Sequence, residues 1–124
     1  MSIHWSELNY LAIVAGGILY MIFGAIYYSI FVGKENQSPG ALKYVISAIV
    51  AFISSFLVAM LVQATGADGW REGLAVGGII GILISIVYLK NTLFGLVKKR
   101  IFMIAIGDHL IIFSLLGVLH GLMA

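Results

Sequence analysis

An acid and an imidazole stand side by side at Asp108-His109, inside an otherwise apolar run from Ile101 to Ala124. A carboxyl can exchange a proton or hold a cation, and an imidazole can relay a proton near neutral pH. Such groups are costly in hydrocarbon and face protein or water rather than lipid. At 1.5 Å per residue, Asp108 lies about 12 Å along a helix from Arg100, within the membrane half nearest that basic residue. If the chain turns near Val97, Asp108 is level with Ser85 to Tyr88 on the preceding helix. Tyr27, Tyr28, Ser29, Ser47 and Asn91 fall in the same half. The spacing predicts that Asp108, His109, Tyr27, Tyr28, Ser29 and Asn91 line one polar pocket for a proton, a cation or a small solute. The competing reading is structural, with Asp108 protonated or paired with a snorkelling Lys90. Adjacent helical residues diverge by about 100°, so Asp108 and His109 cannot aim at one point.

Other chemistry is sparse. His109 and His120 are eleven residues apart, which returns them to nearly one helix face about 16 Å apart. A haem would need two histidines converging on one iron, and His109 has no histidine at its depth. His4 and His120 both lie near the opposite surface and could meet there. No phosphate loop, no His-Glu-x-x-His and no nucleophile elbow is present. Neither paired carboxylates nor a Ser–His pair at matched depth is expected, which disfavours an intramembrane hydrolase. The chain is expected to be no enzyme and to bind no cofactor or metal. With no cysteine it has no disulfide or thiolate chemistry.

These residues must be positioned by transmembrane helices. Of 124 residues, 62% are hydrophobic and 10% charged, far below the charge content of soluble domains. Four long apolar runs each reach the roughly 20 residues that a bilayer core requires. Their length and all-round hydrophobicity exclude barrel strands, which alternate and need only about ten residues. The expected fold is all-α, one domain: a four-helix transmembrane bundle of antiparallel hairpins, with helices about 8–32, 42–65, 71–94 and 101–122. The first run is read as a retained helix rather than a signal peptide. Trp5 and Trp70 suit the interface, and Ser6 or Asn9 could cap the first helix.

The net charge of +2 is a topology signal rather than a nucleic-acid one, so no nucleic acid is expected. Six of seven cations, Lys34, Lys43, Lys90, Lys98, Lys99 and Arg100, lie in the first and third connections. The positive-inside rule makes those loops cytoplasmic and both termini external. Lys98, Lys99 and Arg100 could also contact anionic lipid.

Small residues recur every four positions at Gly73, Gly77, Gly81 and Ser85, and again at Ser47, Ala51, Ser55 and Ala59. Gly16 and Gly24 belong to the first helix, and Gly117 and Gly121 to the last. Such stripes let helix backbones approach closely. They serve packing inside one chain or a seam between copies, and a homo-oligomer is expected.

Asn9-Tyr10-Leu11-Ala12-Ile13, Gly24-Ala25-Ile26-Tyr27-Tyr28-Ser29, Phe31 and Gly33-Lys34 resemble the start of a family of small bacterial four-helix membrane proteins, termed domain of unknown function 1761. Asn91-Thr92-Leu93-Phe94 and the segment Phe102 to Leu110 look like the rest of its pattern. The resemblance implies the four-helix fold and a multi-pass protein of the bacterial cytoplasmic membrane, and brings no activity. The chain departs from the pattern at Tyr27, where the family has Trp, and at Asp108, where an aromatic precedes the matching histidine. It also has Ala105 near a family asparagine.

Two function classes lead, and a redox or lipid-modifying enzyme is the least supported. One is a transporter or channel-like protein, with Asp108 holding a proton or cation, His109 as relay, and Tyr27, Tyr28, Ser29 and Asn91 donating hydrogen bonds. The other is a non-catalytic subunit or scaffold that self-associates through its small-residue faces.

Overall fold

The computed structural model describes residues 3–33 and 36–124. Lys34 and Glu35 of the first connection lie outside the described residues. Four helices follow in order: α1 (Tyr10–Phe31), α2 (Leu42–Thr65), α3 (Trp70–Leu93) and α4 (Lys99–Leu122). All four are long and apolar enough to cross a membrane, and no strand occurs among the described residues. Each buries only a narrow stripe, while Ile79, Ile82, Leu83 and Ile86 of α3 are exposed. In a bilayer that exposure carries no penalty, because the helix satisfies its own backbone and the outer side chains meet lipid.

The ends of the helices have local causes. A short turn at Trp5–Glu7 precedes α1, and its Trp5 ring stacks on Phe56 of α2 at 6.0 Å. Leu8 then runs extended and is buried in a cluster with Ile13 and Ala59. Asn9, rather than Ser6, caps α1: its side chain accepts from the Ala12 amide at 3.0 Å. Its amide nitrogen also donates to the Met123 carbonyl at 2.9 Å, tying the two chain ends together. At the other end of the bundle α4 starts at Lys99, two residues before the expected 101, with Lys98 extended before it. Lys99 and Arg100 thereby enter the first helical turn, where long stems can follow the helix while the charged heads reach water.

The bundle is a rhomb in section. α2 and α4 touch along the short diagonal, α1 packs on both of them, and α3 packs chiefly on α4. The α3–α4 hairpin is held backbone to backbone. A Cβ on Gly73 would strike the Gly117 carbonyl, and one on Gly117 would strike the Gly73 carbonyl. Gly77 stands equally close to the Phe113 carbonyl, and Gly121 to that of Gly69. The Gly69 amide adds a 2.9 Å hydrogen bond to the Gly121 carbonyl. Helix association in lipid rests on packing of this kind, since lipid tails are as apolar as the side chains. The remaining core is aliphatic: Val58 and Val62 of α2 meet Ile112 and Leu116 of α4, flanked by Leu19, Phe23 and Phe113.

Candidate functional site

One row of α4, taken every fourth residue, sets the site. Asp108, Ile112, Leu116 and His120 are all buried, with exposures of 6%, 0%, 0% and 4%. A row of this kind is a packing ridge, and here it carries a polar group at each end with two aliphatic residues between them.

At the end bearing the basic loops, the Tyr28 hydroxyl of α1 donates to Asp108 Oδ2. Beside it, Tyr27 is buried with its hydroxyl donating to the Ile104 carbonyl at 2.7 Å. Gly107 makes that approach possible, since a Cβ there would collide with the Tyr27 hydroxyl. The buried carboxyl of Asp108 thus takes its hydrogen bond from a phenol of α1. Its hydrogen-bond partner is Tyr28, and Lys90 stays exposed on α3.

The other expected pocket residues lie elsewhere. His109 turns toward α3: its Nδ1 donates to the Ala105 carbonyl one turn back at 2.7 Å. Its ring stacks on Tyr88 at 5.4 Å and on Phe113 at 6.4 Å. Ser29 is exposed and donates to the Ala25 carbonyl of its own helix at 2.6 Å. Asn91 is half-buried in the last turn of α3, where its carbonyl accepts the Leu96 amide that closes the helix. Ser47 is exposed on α2. The structure therefore brings together Asp108, Tyr27 and Tyr28, and leaves His109, Ser29, Asn91 and Ser47 out of that cluster. The physical reason is rotation: one step along a helix swings a side chain about 100°, enough to change its neighbouring helix.

The opposite end corrects another expectation. A Ser–His pair at matched depth does exist: Ser55 Oγ of α2 lies 3.0 Å from His120 Nε2. Ser55 donates its single proton to the Ile13 carbonyl of α1 at 2.8 Å. It must then accept from His120, which places the imidazole proton on Nε2. This bond links α1, α2 and α4 at one point. Gly16 permits it, because a Cβ there would strike Ser55 Oγ and come within 3.1 Å of His120 Nε2. With its proton committed to a carbonyl and no exposed surface, Ser55 is not placed as a nucleophile. His120 instead lines a cavity of about 170 Å³, whose wall also includes Glu7, Asn9, Gln63 and Met123. His4 does not meet His120; its backbone pairs with the Gln63 amide, at 2.8 and 3.0 Å. His109 stacks on Tyr88 of α3 whereas His120 bonds Ser55 of α2, so the two imidazoles meet different helices.

Among the residues expected to pack, Gly73, Gly77 and Gly81 face α4, and Ser85 continues their row while bonding the Gly81 carbonyl at 2.8 Å. Gly24 does not share that role: a Cβ there would meet nothing within 4 Å. Among the described residues, no three His, Asp or Glu side chains are grouped to hold a metal ion. The sequence offers Ser55 only as a small packing residue and His120 only as a partner for His4, so it does not pair them. The i, i+4 recurrence of Asp108, Ile112, Leu116 and His120 was a visible signal for His120, and the small-residue row Ser47, Ala51, Ser55 and Ala59 marked the face of α2 that carries its partner.

The family described as protein of unknown function (DUF1761) matches residues 11–121. No curated protein and no solved structure matches the chain.

Proposed function

We propose, for a chain that belongs to the DUF1761 family, that it is a membrane carrier or channel-like protein holding a proton or small cation at Asp108. The observation that supports this reading is the partner of the buried carboxyl. A structural acid in a membrane is commonly locked by Lys or Arg, and its charge then does not change. A phenol donor makes a weaker demand. Tyr28 needs one lone pair of Oδ2, which a neutral carboxyl, a carboxylate and a cation-bound carboxylate all supply. Asp108 can therefore change its charge without losing its anchor to α1. His120, which lines a cavity at the other end of the bundle, is the second group of the path. Ile112 and Leu116 form the dry barrier between them. In this reading His109 is a packing residue rather than the relay.

The self-associating scaffold is the alternative class. Its strongest motif, the Gly73, Gly77, Gly81 row, is occupied by α4 of the same chain, so a seam between copies would have to use other faces.

The test is ion flux in liposomes, comparing wild type with Asp108→Asn under an imposed pH gradient and with sodium or potassium gradients. A flux lost in the variant supports the reading. Equal flux, or none in either protein, removes it.

A further inference from the structure

A second cavity, of about 540 Å³, lies between the end of α1 and the start of α4. Its wall comprises Tyr27, Phe31, Lys99, Arg100, Met103 and Ile104. We propose that this groove is a binding site for one anionic phospholipid, with the headgroup phosphate at Lys99 and Arg100 and an acyl chain along Phe31, Met103 and Ile104.

Charge and position make the case. The groove lies where two membrane-spanning helices end, so it opens at the level of lipid headgroups. Its two cations occupy the first turn of α4, and no side chain caps that helix start. The first amide to bond within this end is that of Phe102, to the Lys98 carbonyl. The amides of Lys99 to Ile101 thus precede the helical ladder and add to the attraction for a phosphate. One helical turn deeper the lining changes to Met103 and Ile104, matching the step from headgroup to chain. Phe31 and Tyr27 form a firm aromatic side, their rings 4.6 Å apart and Tyr27 fixed by its bond to Ile104. A soluble anion would match the cations but not the apolar and aromatic lining below them. The lipid matches both.

The groove also discriminates among the cations at this end. Lys90 and Lys98, exposed as Lys99 and Arg100 also are, are not part of its wall. A general electrostatic attraction would draw on Lys90 and Lys98 as well, whereas the groove uses Lys99 and Arg100.

The experiment is native mass spectrometry of the whole protein in neutral detergent, titrated with phosphatidylglycerol or phosphatidylcholine. One phosphatidylglycerol should bind more tightly than any phosphatidylcholine. At roughly fivefold in affinity per basic side chain, the Lys99→Gln/Arg100→Gln variant should bind it about 30-fold more weakly. Lys90→Gln/Lys98→Gln removes the same charge and should bind as wild type does. Equal losses in the two variants, or equal binding of the two lipids, would overturn the proposal. So would glycerol 1-phosphate displacing the lipid at matched concentration, which would make the site one for a soluble phosphate ester.

Discussion

Asp108 and His120 stand on one i, i+4 row of α4, twelve residues or about 18 Å apart, with Ile112 and Leu116 fully buried between them. Each polar end is tied to a different helix, Asp108 to Tyr28 of α1 and His120 to Ser55 of α2. The row is therefore a spine of the packing that carries a polar group at each end.

Removing the phenol at one end isolates the carboxyl. Tyr28→Phe should destabilise the protein by about 1 kcal/mol, within the range measured for hydrogen bonds inside membrane proteins. Combined with Asp108→Leu it should cost less than the two single changes added together, because the orphaned acid is gone. Reversible unfolding in mixed micelles measures this, and strict additivity would mean that the two groups do not interact.

Ser55→Ala should leave His120 Nε2 without its acceptor and cost about 1 kcal/mol. Gly16→Ala should cost more, since its methyl would displace Ser55 and His120 together. The same unfolding assay ranks the two, and a reversed order would contradict the geometry at the junction of three helices.

Four glycines provide an internal control for backbone contact. Gly77→Ala and Gly117→Ala would drive a methyl into backbone carbonyls of the facing helix, with an expected loss of about 1–3 kcal/mol from overpacking. Gly24→Ala and Gly78→Ala would meet nothing within 4 Å and should change stability by no more than about 0.5 kcal/mol. Comparable losses at all four sites would show that Gly24 and Gly78 are covered by another molecule.

The barrier can be tested separately from its ends. Ile112→Ser puts a hydroxyl into the dry layer between Asp108 and His120. In the carrier reading, proton leak should then rise several-fold in liposomes and fall again when Asp108→Asn is added. A leak that survives the second change would run by another route.

Orientation has a clean test because the chain lacks cysteine. By the distribution of its cations, Lys98→Cys should react with an impermeant thiol reagent only from the cytoplasmic side, and Asp68→Cys only from outside. The opposite pattern would invert the bundle without altering its packing.

What the sequence by itself determined is local. Hydropathy over a window needs no knowledge of neighbours, so four spans follow from residue order alone, with their ends placed to within two residues. Glycine spacing likewise marked Gly73, Gly77 and Gly81 as a close-packing face, because absence of a side chain is a property of the residue. Depth was legible too, and it put Tyr27, Tyr28 and Asp108 in the same membrane half. Direction was decided only by the tertiary structure. Asp108 and His109 are neighbours in the chain, yet one meets α1 and the other α3, because each residue turns the side chain by about 100°. Ser55 and His120 are 65 residues apart, yet they bond. Their meeting depends on α2 and α4 forming the short diagonal and on Gly16 of α1 leaving room. That choice is a balance of backbone contacts among four helices at once, and no single helix encodes it.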